Sequence, residues 1–197
     1  MKMHILSAVL ILAFIPLSSF SASKHFHESK YVGQEKREIK SLSESDIEEL
    51  KNGRGWGLAK AAELNGVPGP IHLLEMKEEI KLSTEQIRKI EDVYQGMKKR
   101  AIPLGLELIK LERELNTHFA NGTITEKLLN ELLGEIAHVY KRLRYTHLAA
   151  HLETPTIITS QQIALYNKLR GYSSEDPCEN IPEGHDPEMW KRHHNCP

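Results

Sequence analysis

Two histidines four residues apart, in the stretch HLAAH (His147 to His151), are the side chains of this 197-residue chain whose type and spacing point most directly to chemistry. On a helix, positions i and i+4 share a face, so both imidazoles would point the same way. Two ligands of Zn²⁺ or a similar ion are often spaced like this. An HExxH metalloprotease site is excluded, because Leu148 stands where the glutamate would have to be. The plainer alternative is that both histidines close an apolar stripe and are satisfied by hydrogen bonds. A third ligand would have to come from elsewhere: His72, His118, Glu107 and Glu112 are candidates, and no spacing selects among them.

The last 25 residues offer a second set, Cys178, His185, His193, His194 and Cys196. Their spacing matches no zinc-finger pattern. Free thiols with these histidines would suit a soft or borderline metal. In an oxidising compartment the two cysteines pair instead as a Cys178–Cys196 disulfide, pinning an extended tail with Met189 and Trp190 as apolar anchors. No nucleophile–base signature occurs, and the chain is not expected to be an enzyme. GRGWG lacks the Lys-Ser/Thr of a phosphate loop and reads as turn glycines. No cofactor is required; the candidate ions are Zn²⁺, Ni²⁺ and Cu²⁺.

The elements that must position these side chains are helices. KLSTEQI (Lys81 to Ile87) has a near twin in IITSQQI (Ile157 to Ile163). In each, Ser83 or Thr159 can cap a helix while Gln86 or Gln162 reaches back as the second half of a capping box. Leu82 with Ile87, and Ile158 with Ile163, complete hydrophobic staples. From Ser83 an apolar stripe runs through Ile90, Met97, Leu104, Leu108, Leu111 and Leu115 to Phe119. Pro103 should bend that helix near residues 99–103, and Asn121-Gly122 should end it. A second long helix runs from about Thr125 to Leu152, and a third from Thr159 to Gly171. The short turn between the long pair makes them an antiparallel hairpin. Upstream, Ser43 and Gly53 bracket a short capped helix, and two more are broken by Gly66, Pro68, Gly69 and Pro70. No segment alternates with period two, so the fold class is all-α: a long antiparallel hairpin with shorter flanking helices.

Lys2, the apolar run Ile5 to Leu17 and the small residues SSFSAS have the order of a secretory signal peptide, cleaved after Ser21 or Ser23; an uncleaved anchor is the alternative. The expected division is a signal at 1–23, a polar extension with short helices at 24–69, a helical domain at 70–172 and a tail at 173–197. Without the signal the chain carries 25 basic against 27 acidic side chains. That balance gives no reason to expect nucleic acid or an anionic membrane as partner.

Paired Leu/Ile-Ser/Thr-x-x-Gln motifs around a helical hairpin, behind a signal peptide, resemble the Spy/CpxP superfamily of periplasmic proteins. LSTEQ (Leu82 to Gln86) and ITSQQ (Ile158 to Gln162) stand as its motifs, the second with Ile in place of Leu. YVGQEKREIKSLS, GLAKAAELNGVPGPIHLLEM, LRYTHLAAHL and QIALYNKLRGY resemble more narrowly the branch labelled periplasmic heavy-metal sensor or metal-resistance protein. The resemblance implies a periplasmic helical protein, often a homodimer forming a concave cradle. It implies an ATP-independent chaperone or stress adaptor that binds unfolded or envelope proteins, a partner of a membrane sensor, or a metal-binding sensor. The first expectation here is chaperone-like binding; the alternative is metal binding through His147 and His151.

Overall fold

The computed structural model describes residues 29–172, 181, 186–193 and 196. Two units are distinguished, 1–32 and 33–197. Of the first, residues 29–32 form a turn closed by the Val32 N–H on the Ser29 carbonyl at 3.1 Å. The second holds the helices α1 (Glu44–Lys51), α2 (Lys60–Glu63), α3 (Pro70–Glu75), α4 (Thr84–Ala120), α5 (Glu126–Glu153), α6 (Ser160–Leu169) and α7 (Pro187–His193). No strand occurs among the described residues, and the fold is all-α, as the sequence pattern requires. None of these helices is long and apolar enough to cross a membrane.

The hairpin of α4 and α5 is the frame. Ser83 caps α4 and Thr125 caps α5, each accepting from the backbone N–H three residues on. Pro103 lies inside α4, which stays one continuous helix through it. Pro103 faces solvent, and the backbone donor it lacks is the one that would have bonded the Lys99 carbonyl.

One face of the hairpin is covered by the segment before α2. Ile39, Leu42, Leu50 and Leu58 share one core with Ala101, Leu104 and Leu108 of α4 and Val139 and Leu143 of α5. Polar straps hold the cover in register. Asn116 accepts from Lys40 N–H at 3.2 Å and donates to the Glu38 carbonyl, while Ser41 donates to Glu112 at 2.7 Å. Where the cover ends, so does burial: Phe119, expected in the stripe, is 56 % exposed, because α4 runs on past the strapped segment.

The twin motifs meet. Both capping boxes form, and the two glutamines that complete them face each other. Gln86 Nε2 donates to Gln162 Oε1 at 2.8 Å, and Gln162 Nε2 donates to Gln86 Oε1 at 3.1 Å. Each second amide proton goes to the loop before the other helix, at Ile157 O and Lys81 O. Each Oε1 also accepts its own cap's N–H at 2.9 Å. Both side chains thus use two donors and two acceptor sites, all that a primary amide has. This clasp fixes the start of α6 against the start of α4, above a core of Leu73, Ile80, Ile90, Ile158 and Tyr166.

Candidate functional site

His147 and His151 sit on the covered side of α5, and both are buried. The chain opposite them is the loop GVPG between α2 and α3, clamped carbonyl by carbonyl. Asn167 Nδ2 donates to Gly66 O at 3.1 Å, His151 Nδ1 donates to Val67 O at 2.9 Å, and Thr154 donates to Pro68 O. At Gly69 the backbone lies on the His151 ring, so that a Cβ there would stand 2.7 Å from Cε1. Only glycine fits.

Between α5, this loop and α3 lies a cavity of about 330 Å³. His147 and His151 line it from α5, His72 from α3 and Glu63 from the end of α2. Tyr94 and Met97 form the wall from α4, and Arg54, Lys60 and Glu75 also line it. His72, which spacing could not select, therefore shares a cavity with the HLAAH pair. His118 does not; it bonds Thr123 near the hairpin tip. Glu112 is taken by Ser41, and Glu107 lies on the other face of the hairpin.

Each imidazole is in a distinct state. His151 donates through Nδ1 to the Val67 carbonyl, which leaves Nε2 as its remaining ring nitrogen. A hydrogen bond from the other ring nitrogen commonly orients metal-ligating histidines in this way. His147 is 3 % exposed, and its Nε2 has no hydrogen-bond partner among the described residues. Burial, with His151 adding a smaller push, lowers its pKa from 6.5 to about 4, so it is neutral at physiological pH. His72 Nδ1 bonds Glu75 at 2.8 Å on the outer wall. Among the described residues no three such side chains stand close enough to hold an ion directly. The cavity, however, has room for about ten waters at ~30 Å³ each, so an ion on the α5 pair could keep part of its hydration shell.

The buried His147 has a consequence for the metal-free protein. Its folded pKa lies below its unfolded value, so between about pH 6.5 and 4 the unfolded chain binds the extra proton. Stability therefore falls as pH falls through that window. From pH 7 to pH 5 the expected loss is about 2 kcal/mol, and His147→Leu should remove that slope. The other groups facing the cavity (His72, His151, Glu63, Glu75, Tyr94, Lys60 and Arg54) are unchanged in the variant, so chemical denaturation at several pH values isolates His147.

Among the described residues, the opposite face of the hairpin is uncovered. A groove follows α4 and α5, continuous through Arg100 and Glu107. Its middle, about 900 Å³, is lined by Lys99, Arg100, Pro103, Lys141, Arg142 and a Tyr145 that is 70 % exposed. In the tail, Cys196 is disulfide-bonded, while Cys178, His185 and His194 lie outside the described residues. His193 ends α7. Met189 is not the buried anchor expected of it: at 65 % exposure it points to solvent on a short helix. Residues 1–23, the expected signal, also lie outside the described residues.

No family model, curated protein or solved structure matches the chain. The class defined by the fold is an all-α hairpin protein with a histidine-lined cavity on its covered face and a groove on its open one.

Proposed function

We propose that this is an exported, Spy/CpxP-like periplasmic protein that binds a divalent transition-metal ion in the histidine-lined cavity, as a metal sensor or resistance protein would. The observation that carries the reading is the pairing of a buried His147 whose Nε2 lacks a partner among the described residues with a His151 whose Nδ1 is committed to Val67. A buried polar atom left unpaired costs roughly 1–3 kcal/mol, and an ion or its bound water would remove that cost. Ligation needs a neutral imidazole, the state that burial imposes on His147. His72 and the carboxylates of Glu63 and Glu75 face the same space and supply acceptors for the ion's remaining waters.

The test is calorimetric titration of the full mature chain with Zn²⁺, Ni²⁺ and Cu²⁺, beside the His147→Ala/His151→Ala pair and a His193→Ala/His194→Ala pair. The double replacement on α5 should weaken binding at least about 100-fold, with helicity by circular dichroism unchanged. Binding that survives it, or that is lost only with the tail pair, sinks the reading.

A second reading is favoured by the groove on the open face. Exposed Tyr145 between four cations, with Leu106, Leu133 and Leu152 also exposed on the hairpin, suits loose holding of unfolded or envelope proteins. A homodimer cradle and docking on a membrane sensor belong to this reading. Suppression of client aggregation that is independent of metal and lost in Tyr145→Glu would favour it over the first.

A further inference from the structure

Glu63 is the last residue of α2, and its side chain is only 13 % exposed. One of its oxygens, Oε1, takes a dense set of donors. Tyr166 Oη lies at 2.7 Å, Tyr172 Oη at 3.1 Å, Arg170 Nε at 3.1 Å and Arg170 Nη2 at 2.8 Å. All of these donors belong to α6 and the residues just after it. Glu63 also lines the histidine cavity, and the charge of His72, another lining residue, acts on its carboxylate. It is therefore shared: its Oε1 anchors α6, and the cavity borders the same residue.

Burial by itself would raise the Glu63 pKa. The Tyr166 hydrogen bond, the His72 charge and the Tyr172 and Arg170 contacts together hold it below the usual value. The group is thus a carboxylate that responds to positive charge arriving from either side. The backbone just after it is held, since Gly66, Val67 and Pro68 are all clamped.

We propose that Glu63 links metal occupancy of the cavity to the anchoring of the C-terminal half of α6. A cation placed near the His147–His151 pair and the Arg170 guanidinium draw on one negative charge. Each then weakens the hold of the other, and by thermodynamic reciprocity the coupling is equal in both directions. The start of α6 is held separately by the glutamine clasp, none of whose hydrogen bonds involves a residue lining the cavity. Loosening is therefore confined to residues 166–172, and the helix start stays in place. The inference rests on the metal reading of the cavity.

The experiment uses Zn²⁺ alone as probe with the full mature chain. Removing Arg170 as Arg170→Gln should tighten Zn²⁺ binding about five-fold, and Glu63→Gln should weaken it about as much. A residue that merely props the cavity would weaken binding when removed, so an increase in affinity is the diagnostic sign. Should Arg170→Gln fail to fold, hydrogen exchange on the wild-type chain decides. Zn²⁺ should speed exchange of the amides at 166–172 and leave those at 84–90 unchanged. If the wild type binds Zn²⁺ through His147 and His151 but Arg170→Gln binds equally or less tightly, the linkage is wrong while the metal site stands. If Zn²⁺ slows exchange at 166–172, the linkage is overturned in sign. If the wild type does not bind at all, the metal reading falls and the linkage with it.

Discussion

Gly105→Ala should destabilise the protein by about 3 kcal/mol, the upper part of the range for overpacking a close contact. In an isolated helix the same change would stabilise by about 1 kcal/mol, since glycine is a poor helix former. The sign reverses because the end of α1 crosses α4 with its backbone on Gly105. A Cβ there would stand 2.9 Å from the Leu50 carbonyl carbon and closer still to its oxygen. Backbone cannot rotate aside as a side chain can. Either α1 lifts, taking Leu50 and Leu58 out of the core they share with Leu104 and Leu108, or α4 bends. Gly134→Ala is the internal control: that glycine lies inside α5, and a Cβ there meets nothing within 4 Å. It should gain about 1 kcal/mol. Urea denaturation of the two variants should move in opposite directions. Equal shifts would mean that α1 does not pack where it is placed.

Gln86→Glu should cost about 2–3 kcal/mol, although by every local rule it is harmless. Glutamate completes a capping box as well as glutamine does, and a negative charge in the first turn favours the helix dipole. What it cannot do is donate. The bonds from Gln86 Nε2 to Ile157 O and to Gln162 Oε1 disappear, and a carboxylate oxygen then faces the Gln162 oxygen. Gln162→Glu should cost a similar amount by the pseudo-symmetry of the clasp. With both replaced, two carboxylates meet in a half-buried site, and one of them will hold its proton to an unusually high pH. A protonated carboxyl can donate again. The deficit of the double variant relative to wild type should therefore shrink as pH falls from 7 toward 5. A deficit that stays constant across that range would argue that the glutamines act only as caps.

These two residues also mark how far the sequence could be read. The helix starts at Ser83 and Thr159 were legible because capping is decided within four residues. That Gln86 and Gln162 clasp each other was not, since they lie 76 residues apart and nothing local favours one pairing. Gly105 was hidden for a different reason: inside a helical stripe a glycine reads as a weak point, and only the crossing of α1 gives it a purpose. The His147–His151 pair was visible through its spacing, and its burial through the stripe it continues. Glu63 was out of reach, and His72 could be named but not selected among four candidates, because the loop at 66–69 brings both to the cavity by tertiary clamps from Asn167, His151 and Thr154. Phe119 was misplaced because the stripe continues beyond the segment that covers it.

The most direct test of the central claim is anomalous scattering from crystals of the full mature chain grown with Zn²⁺, recorded at the zinc edge. The expected result is one strong peak in the cavity, about 2.0–2.1 Å from imidazole nitrogens of His147 and His151, with Glu63 and His72 facing it across water. A peak only at the tail histidines, or none in the cavity at saturating metal, would contradict the account and leave the open groove as the functional surface.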